Sequence, residues 1–569
     1  MSSKTGRHAI LEQFLADGFE YMFGNPGTVE QGFLDALWDH PRLKYILTLQ
    51  ESIAVLMADA HARVRRKPAL VQLHSTPGVG NGLGALYQAK RGHSPLVVIG
   101  GDAGVRYQAM DAQMAGDLVA MCEPVTKWSA MVLEPSSLLR MVRRAIKIAS
   151  TPPMGPVYLC LPQDLLDQPV NEDVYPTSVP STRVVPDPEL VRTASAWLAG
   201  AVRPVILMGD GVAYSDAQAE LTRVAELLGA EVWGVDSGEV NMAFDHPLYQ
   251  GQTGHMFGFT SLPITRRADV ALICGTYVMP EVFPELGPIF SPGARVIHLD
   301  LNAYEIAKNH PVDLGVVADP KLSLAALARE LERTRPAAQA QSAAERLEAF
   351  RKAKKEKAEA EKEHDRQSRD AVPMRSAAFM EELAKQLPAD AVLFDEALTN
   401  SPDLTRYLPP QTTGAFLQTR GGSLGVGIPG AIGAKLAHPD KTVVGFSGDG
   451  GAMYTIQALW TAARHGVGAK FVVCNNGSYR LLQLNLQQYW KETGIPAHPF
   501  PLSFDLSRPA LRFDELARAL GVSSTRVEKP ADIAAAIGQM LAHEGPFLID
   551  LVLEGDVAPD RVSTVCCGQ

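Results

Sequence analysis

The feature that most constrains this chain is Gly448-Asp449-Gly450, followed after 24 intervening residues by Asn475-Asn476. Residues 442–447 before it read as a buried parallel strand, and residues 452–465 after it have helical spacing. A second strand over 469–474 then delivers the two asparagines. The result is a strand–turn–helix–strand unit with a carboxylate in its first turn and amides at the end of its second strand. Glycines there let backbone N–H groups approach a diphosphate at a helix N-terminus, where partial positive charge favours an anion. Hard cations such as Mg²⁺ take oxygen ligands and commonly bridge protein to phosphate. The pattern points to a metal-bound diphosphate cofactor.

Composition narrows the partners. A net charge of −10 and a pI near 5.8 argue against nucleic acid, which normally needs a basic face. No run reaches the ~18 uninterrupted apolar residues of a membrane span, so no membrane association is expected. Residues 1–7 lack the apolar core of a signal peptide and run into a helical pattern. Four of the six cysteines, Cys122, Cys160, Cys274 and Cys474, lie in apolar surroundings, and none has zinc-ligand spacing. Cys566-Cys567 read as part of a C-terminal tail. A reducing cytoplasm is the expected location.

Three blocks of alternating strand and helix patterns follow one another, which implies an α/β protein with mostly parallel sheets. Their expected extents are 1–174, 189–334 and 372–555, with a tail over 556–569. A proline-rich linker spans 176–188, and residues 335–371 form a charged helical connection whose mixed signs suit a solvated helix.

Other polar positions stand at strand ends, where open α/β sheets bind ligands. Asp395 to Asn400, including Thr399, follows a strand over 391–394, though such polar turns often cap helices. Asn25-Pro26-Gly27-Thr28 is a tight turn after Phe23. Glu51 opens an apolar helix, where the dipole alone would stabilise it. His74 ends a strand and precedes a glycine-rich segment that holds Asn81; a lone histidine there is commonly structural. Thr419 to Gly425 is a glycine-rich loop before a small-residue helix over 429–436.

Together these pieces resemble the thiamine diphosphate-dependent enzymes of the pyruvate decarboxylase and acetolactate synthase superfamily. In texture they are most similar to benzoylformate decarboxylases. The strings carrying the likeness are Phe23 to Thr28, Leu73-His74-Ser75 with Gly80-Asn81, Ala458 to Ala463, and Asn475 to Tyr479. The resemblance implies three doubly wound parallel-sheet domains: pyrimidine-binding, middle and pyrophosphate-binding. It implies Mg²⁺ on Asp449, Asn476 and the carbonyl of Ser478. It implies diphosphate contacts from Gly450, Gly451, Ala452 and Thr399. Leu424 would hold the coenzyme bent, the Gly422 carbonyl would meet its aminopyrimidine, and Asn25 and Asn81 would adjoin it. Glu51 would bond the pyrimidine nitrogen. His74 would move protons, and Thr28 would bind the carboxylate of a 2-oxo acid. The implied reaction is non-oxidative decarboxylation to an aldehyde and CO₂. The coenzyme would sit between two chains of a homodimer or homotetramer.

The pattern also departs from benzoylformate decarboxylases. Residues 277–283, where they carry a second histidine, hold none; His255 and His93 read as surface or structural residues instead. The substrate-pocket helix presents Leu481 and Asn485, which suit a more polar substrate. The stretch after Gly101-Asp102 lacks the adjacent histidines of pyruvate decarboxylases. Gln113 falls where carboligases carry a functional glutamine, with an ordinary polar helix residue as the competing reading. The alternative is therefore a carboligase or lyase related to acetolactate synthase, benzaldehyde lyase or 2-hydroxyacyl-CoA lyase, using an acceptor aldehyde. Gly209 to Ala213 is a weak phosphate-loop candidate for flavin or a nucleotide, with a plain strand–helix turn favoured.

Overall fold

The structure, a computed structural model, describes residues 4–278 and 280–555. Met279 of the 277–283 segment and the 556–569 tail, with Cys566 and Cys567, lie outside the described residues.

Apolar runs of five or six residues, such as Val270–Cys274, become strands buried on both faces, which is why they carry no polar alternation. Among the described residues, eighteen strands make three six-stranded sheets, parallel throughout. The first contains β1 (Tyr21–Gly24), β2 (Lys44–Leu47), β3 (Ala69–Leu73), β4 (Leu96–Asp102), β5 (Trp128–Met131) and β6 (Val157–Pro162), in the order β2-β1-β3-β4-β6-β5. The second contains β7 (Pro204–Met208), β8 (Glu231–Gly234), β9 (Tyr249–Gln252), β10 (Val270–Cys274), β11 (Arg295–Asp300) and β12 (Leu314–Val317), ordered β9-β8-β7-β10-β11-β12. The third contains β13 (Val392–Glu396), β14 (Phe416–Gln418), β15 (Val443–Gly448), β16 (Lys470–Asn475), β17 (Ser523–Val527) and β18 (Phe547–Val552), ordered β14-β13-β15-β16-β18-β17. The first and third sheets thus share one topology. The middle sheet instead has the strand order of dinucleotide-binding folds.

Six helices matter below: α1 (Glu51–Arg65), α2 (Ser75–Arg91), α3 (Ala337–Gln367), α4 (Gly427–Ala437), α5 (Asp449–Ala452) and α6 (Arg480–Thr493). A helix apolar on every side must be buried on every side. Such is α1, whose Ile53 to Ala58 are all at most 2% exposed. It lies between the first sheet and α4, so one continuous core spans the first and third domains. Gly433 of α4 sits so close to α1 that a Cβ there would overlap the Met57 carbonyl. The exposed edge of β2 is covered by the third domain: Thr461 Oγ1 donates to Leu47 O (3.0 Å) and Leu47 N–H to His465 Nε2 (3.0 Å).

The polar helix α3 is pinned by Lys354, which donates to the carbonyls of Phe244 (2.6 Å), His246 (2.8 Å) and Tyr249 (2.7 Å). No described helix is long and apolar enough to cross a membrane. One local expectation and one competing reading differ from the structure. The helix expected over 452–465 is broken: α5 ends at Ala452 and a separate helix covers Ala458–Arg464. Between them Thr455 Oγ1 donates to the Gly425 carbonyl (2.6 Å). Gln113 lies in a turn rather than a helix, between Asp111 and Met114, both at positive φ.

Candidate active site

Two polar clusters lie at strand ends of the first and third sheets. In the first, Glu51 is the opening residue of α1 and is 6% exposed. Asn25 Nδ2 donates to its Oε1 (3.1 Å) and Asn81 Nδ2 to its Oε2 (3.0 Å). Both carboxylate oxygens are thereby fixed by amides from the β1 turn and from α2. Gly78 lets α2 approach: a Cβ there would stand 2.9 Å from Glu51 Oε1 and 3.1 Å from His74 Cβ.

His74, at the end of β3, is bonded through Nδ1 to Glu30 Oε2 (3.0 Å). Glu30 is 4% exposed and its Oε1 accepts the Gly101 N–H (3.1 Å). Burial raises the Glu30 acid above its ordinary value, with His74 pulling the other way. Sequence reasoning passed over Glu30, although an acid beside Val29 and Phe33 in an apolar stretch must find a partner. The imidazole rests on the 25–28 turn, and a Cβ at Gly27 would overlap its ring. With Nδ1 engaged, Nε2 remains for proton exchange with a ligand. Thr28 is exposed at the start of the next turn. Ser75 Oγ (3.1 Å) and Thr76 Oγ1 (2.7 Å) donate to Met114 O, drawing the Gln113 turn against α2. A small open cleft results, lined by Val29, Ser75, Asp102 and Gln113.

In the second cluster, Asp449 opens α5, 3% exposed, and accepts N–H groups from Gly450 (2.8 Å) and Gly477 (2.6 Å). The Gly477 bond brings the two halves of the motif together. Asn476 Oδ1 accepts the Ser478 N–H (3.0 Å). Asn475 is spent elsewhere, on Asp550 (2.9 Å) and Leu511 O (3.1 Å). Burial pushes the Asp449 acid up to about 6, against backbone N–H groups that lower it. A buried carboxylate answered by amides alone, with a side-chain amide and a carbonyl beside it, suits one hard cation. Among the described residues no three His, Cys, Asp or Glu side chains gather for a metal, so any such set depends on amide and carbonyl oxygens. Gly450 lies under the Tyr479 ring, which a Cβ would overlap. Gly451 and Ala452 follow in the first turn of α5.

The loop before α4 is held by Glu396, to which the sequence alone assigns no role. Its carboxylate accepts N–H groups of Gly425 (2.5 Å) and Gly427 (2.7 Å) and the Ser447 hydroxyl (2.9 Å), and burial raises its acid to about 7. Gly422 has φ +73 with open space where a side chain would go, and Leu424 is half-buried. Thr399 sits half-buried in the turn after β13. Leu481 and Asn485 lie one turn apart on α6, both half-buried. His93 is structural, bonded to Met154 O (3.3 Å). His255 lies beside the 277–283 segment, its carbonyl accepting the Val282 N–H (3.1 Å).

Comparison with known proteins accounts for this arrangement. Residues 4–121 match the N-terminal TPP binding domain of thiamine pyrophosphate enzymes, 191–327 the central domain and 399–551 the C-terminal TPP binding domain. The chain belongs to the thiamine pyrophosphate enzymes. It is 30% identical to benzoylformate decarboxylase of Pseudomonas aeruginosa, over 96% of this chain and 98% of that one. It is 26% identical to a probable acetolactate synthase large subunit of Methanococcus aeolicus, over 98% and 93%. Among solved structures, the thiamine diphosphate-dependent 4-hydroxybenzoylformate decarboxylase of Rhodococcus jostii RHA1 superposes with a TM-score of 0.83 at 26% identity, covering 98% of this chain and all of that one. The thiamine pyrophosphate enzyme thus lies near both decarboxylases and acetolactate synthases, in a fold of three α/β domains.

Proposed function

We propose that the protein is a Mg²⁺-dependent 2-oxo acid decarboxylase that releases CO₂ and an aldehyde. The observation that carries this reading is the His74–Glu30 pair beside Glu51, with Gly78 packed against both. Bound thiamine diphosphate would supply a carbon nucleophile for the 2-oxo carbonyl and an electron sink for CO₂ loss. The chain's residues do the rest. Asp449, Asn476 and the Ser478 carbonyl hold the cation, and Gly450, Gly451, Ala452 and Thr399 meet the diphosphate. The Gly422 carbonyl and Leu424 fix the ring system, with Asn25 and Asn81 keeping Glu51 aimed at the pyrimidine nitrogen. Thr28 binds the substrate carboxylate. His74 Nε2 delivers the proton that completes the aldehyde, and Glu30 holds the imidazole in orientation. Leu481 and Asn485 shape the substrate end.

Glu51 of one chain and Asp449 of a second copy serve one site, so the active protein is at least a homodimer. A second reading, carbon–carbon ligation or cleavage with an acceptor aldehyde, is favoured by Gln113 lining the cleft next to Ser75. A screen of aromatic and polar 2-oxo acids, with CO₂ and aldehyde quantified with and without acceptor aldehydes, separates the two. Stoichiometric aldehyde supports decarboxylation, whereas ligation products at the expense of free aldehyde favour the second reading. No CO₂ from any 2-oxo acid would overturn the first.

A further inference from the structure

The ends of α1 and α2 remote from Glu51 and His74 meet in a buried ionic cluster shared by all three domains. Arg63 of α1, 1% exposed, donates to Glu239 Oε1 (2.9 Å), Gly238 O (2.7 Å) and Gln418 O (3.0 Å). Two residues on from Gln418, the Arg420 backbone N–H donates to Gln88 Oε1 of α2 (3.0 Å). The Arg420 side chain, 8% exposed, crosses into the middle domain, with Nη1 3.5 Å from Asp210 and Nη2 3.5 Å from Asp236. Among the described residues its Nε and Nη1 have no hydrogen-bond partner. Nη2 donates to Arg91 O (3.3 Å), so one hydrogen bond and the two carboxylates hold it there.

Asp210 and Asp236 stand just past the C-terminal ends of β7 and β8. That is the side on which a sheet of this strand order takes a ligand, near the switch between β7 and β10. Here the place is closed by protein. Gly209 N–H donates to Cys274 O (3.1 Å) and Gly211 N–H to Gly275 O (2.9 Å), and a Cβ on Gly211 would stand 2.6 Å from Gly275 Cα. Asp210 accepts N–H groups from Gly238 (2.9 Å), Glu239 (3.1 Å) and Asn241 (3.0 Å). Burial alone would raise its acid, yet Arg420 and these donors hold it below the ordinary value. A guanidinium buried without its counter-charge is strongly unfavourable, so loss of the socket moves Arg420. Gly422 lies two residues on, and Ser423 Oγ ties the same loop to Gly84 O of α2 (3.2 Å).

We propose that Asp210 and Asp236 are positioning residues for the Arg420–Gly425 loop: the middle domain's ligand crevice holds a guanidinium from the third domain and so sets where Gly422 and Leu424 meet the coenzyme. The proposal rests on the functional reading above. The test is calorimetric titration of thiamine diphosphate, with saturating Mg²⁺, into full-length cofactor-free protein. The variants are Asp236→Asn, Arg420→Met, Arg420→Lys and the Asp236→Asn/Arg420→Met pair. Asp236→Asn and Arg420→Met should each weaken binding about tenfold or more. The pair should lose less than the sum of the two single losses, because both variants remove the Arg420–Asp236 contact, while Asp236→Asn also frees Arg91, which donates to Asp236 Oδ2 (3.3 Å). Arg420→Lys should recover part of the loss, and KM for the 2-oxo acid at saturating coenzyme should not change. Unchanged coenzyme affinity in the single variants, or losses that add in the pair, overturns the proposal. If Arg420→Met does not fold, the affinity of Asp236→Asn, whose side chain is partly exposed, decides. Wild type that binds no thiamine diphosphate would overturn the functional reading as well; wild-type binding matched by the variants overturns positioning alone.

Discussion

Gly27→Ala is a one-methyl perturbation that displaces His74 without replacing it. Gly27 has φ −144 and ψ −177, which alanine adopts freely, so backbone strain is not involved. The added Cβ would overlap His74 Nδ1 and Cγ and stand 2.5 Å from Cε1. Carbon–carbon contacts settle near 3.5–4.0 Å, so the ring must move by roughly 1 Å or more. Its 3.0 Å bond to Glu30 cannot survive that shift. Misplacing a catalytic group by about 1 Å costs on the order of 10²-fold, within the ~10²–10⁴-fold worth of a general acid or base. Decarboxylation should therefore fall about 10²–10³-fold in kcat, with coenzyme affinity changed only a few fold, and overpacking should cost about 1–3 kcal/mol of stability. The assay is initial-rate CO₂ release for Gly27→Ala, His74→Ala and the double variant. The double variant should match His74→Ala, since both act on one imidazole. A Gly27→Ala enzyme with the kcat and pH profile of wild type would refute the placement of His74 in the chemistry.

Further outcomes follow from the same geometry. Asp449→Ala should abolish binding of thiamine diphosphate with Mg²⁺, while Glu51→Gln should keep much of it and lose turnover; calorimetry beside rate measurements checks both. Asp300 titrates far from this chemistry: burial pushes its acid from 3.8 up to about 7. The folded state thus keeps a proton that the unfolded chain releases between about pH 4 and 7, so stability falls as pH rises through that window, by at most about 4 kcal/mol. Asp300→Asn should be more stable than wild type at pH 8 and lose that advantage near pH 4, read from denaturant midpoints. Lys354→Met leaves three carbonyls without their donor and should cost about 2–4 kcal/mol, seen as a lower Tm.

Much of this was legible in the chain because parallel strands are continuous apolar runs and place polar residues at their ends. Periodicity places Glu51, His74, Asp449 and Asn476 at or just beyond such ends, while the roles expected of them came from the family resemblance. What escaped was set by distance in sequence. Glu30 and His74 are 44 residues apart and meet because β1 and β3 are neighbours in the sheet. Glu396 gains its role from Gly425, Gly427 and Ser447, which no local pattern connects to it. Phe416–Gln418 is too short to stand out as an apolar run and forms by pairing with the longer β13, and Tyr249–Gln252, with two glutamines and a glycine, forms by pairing with β8. The helix expected over 452–465 obeyed its spacing only in part, and in the break Thr455 bonds the Gly425 carbonyl, a partner remote in sequence. The Arg420 socket needs three domains assembled before any of it can be seen.

The central claim is that Glu51 and Asp449 act on one thiamine diphosphate from two different chains. Subunit complementation tests it most directly. Glu51→Gln and Asp449→Ala chains, co-expressed with different affinity tags, are isolated as mixed dimers and assayed for 2-oxo acid decarboxylation. In each mixed dimer one of the two sites draws both native residues, so about half the wild-type activity per dimer should return from two inactive parents. Mixed dimers no more active than the parents would contradict the claim.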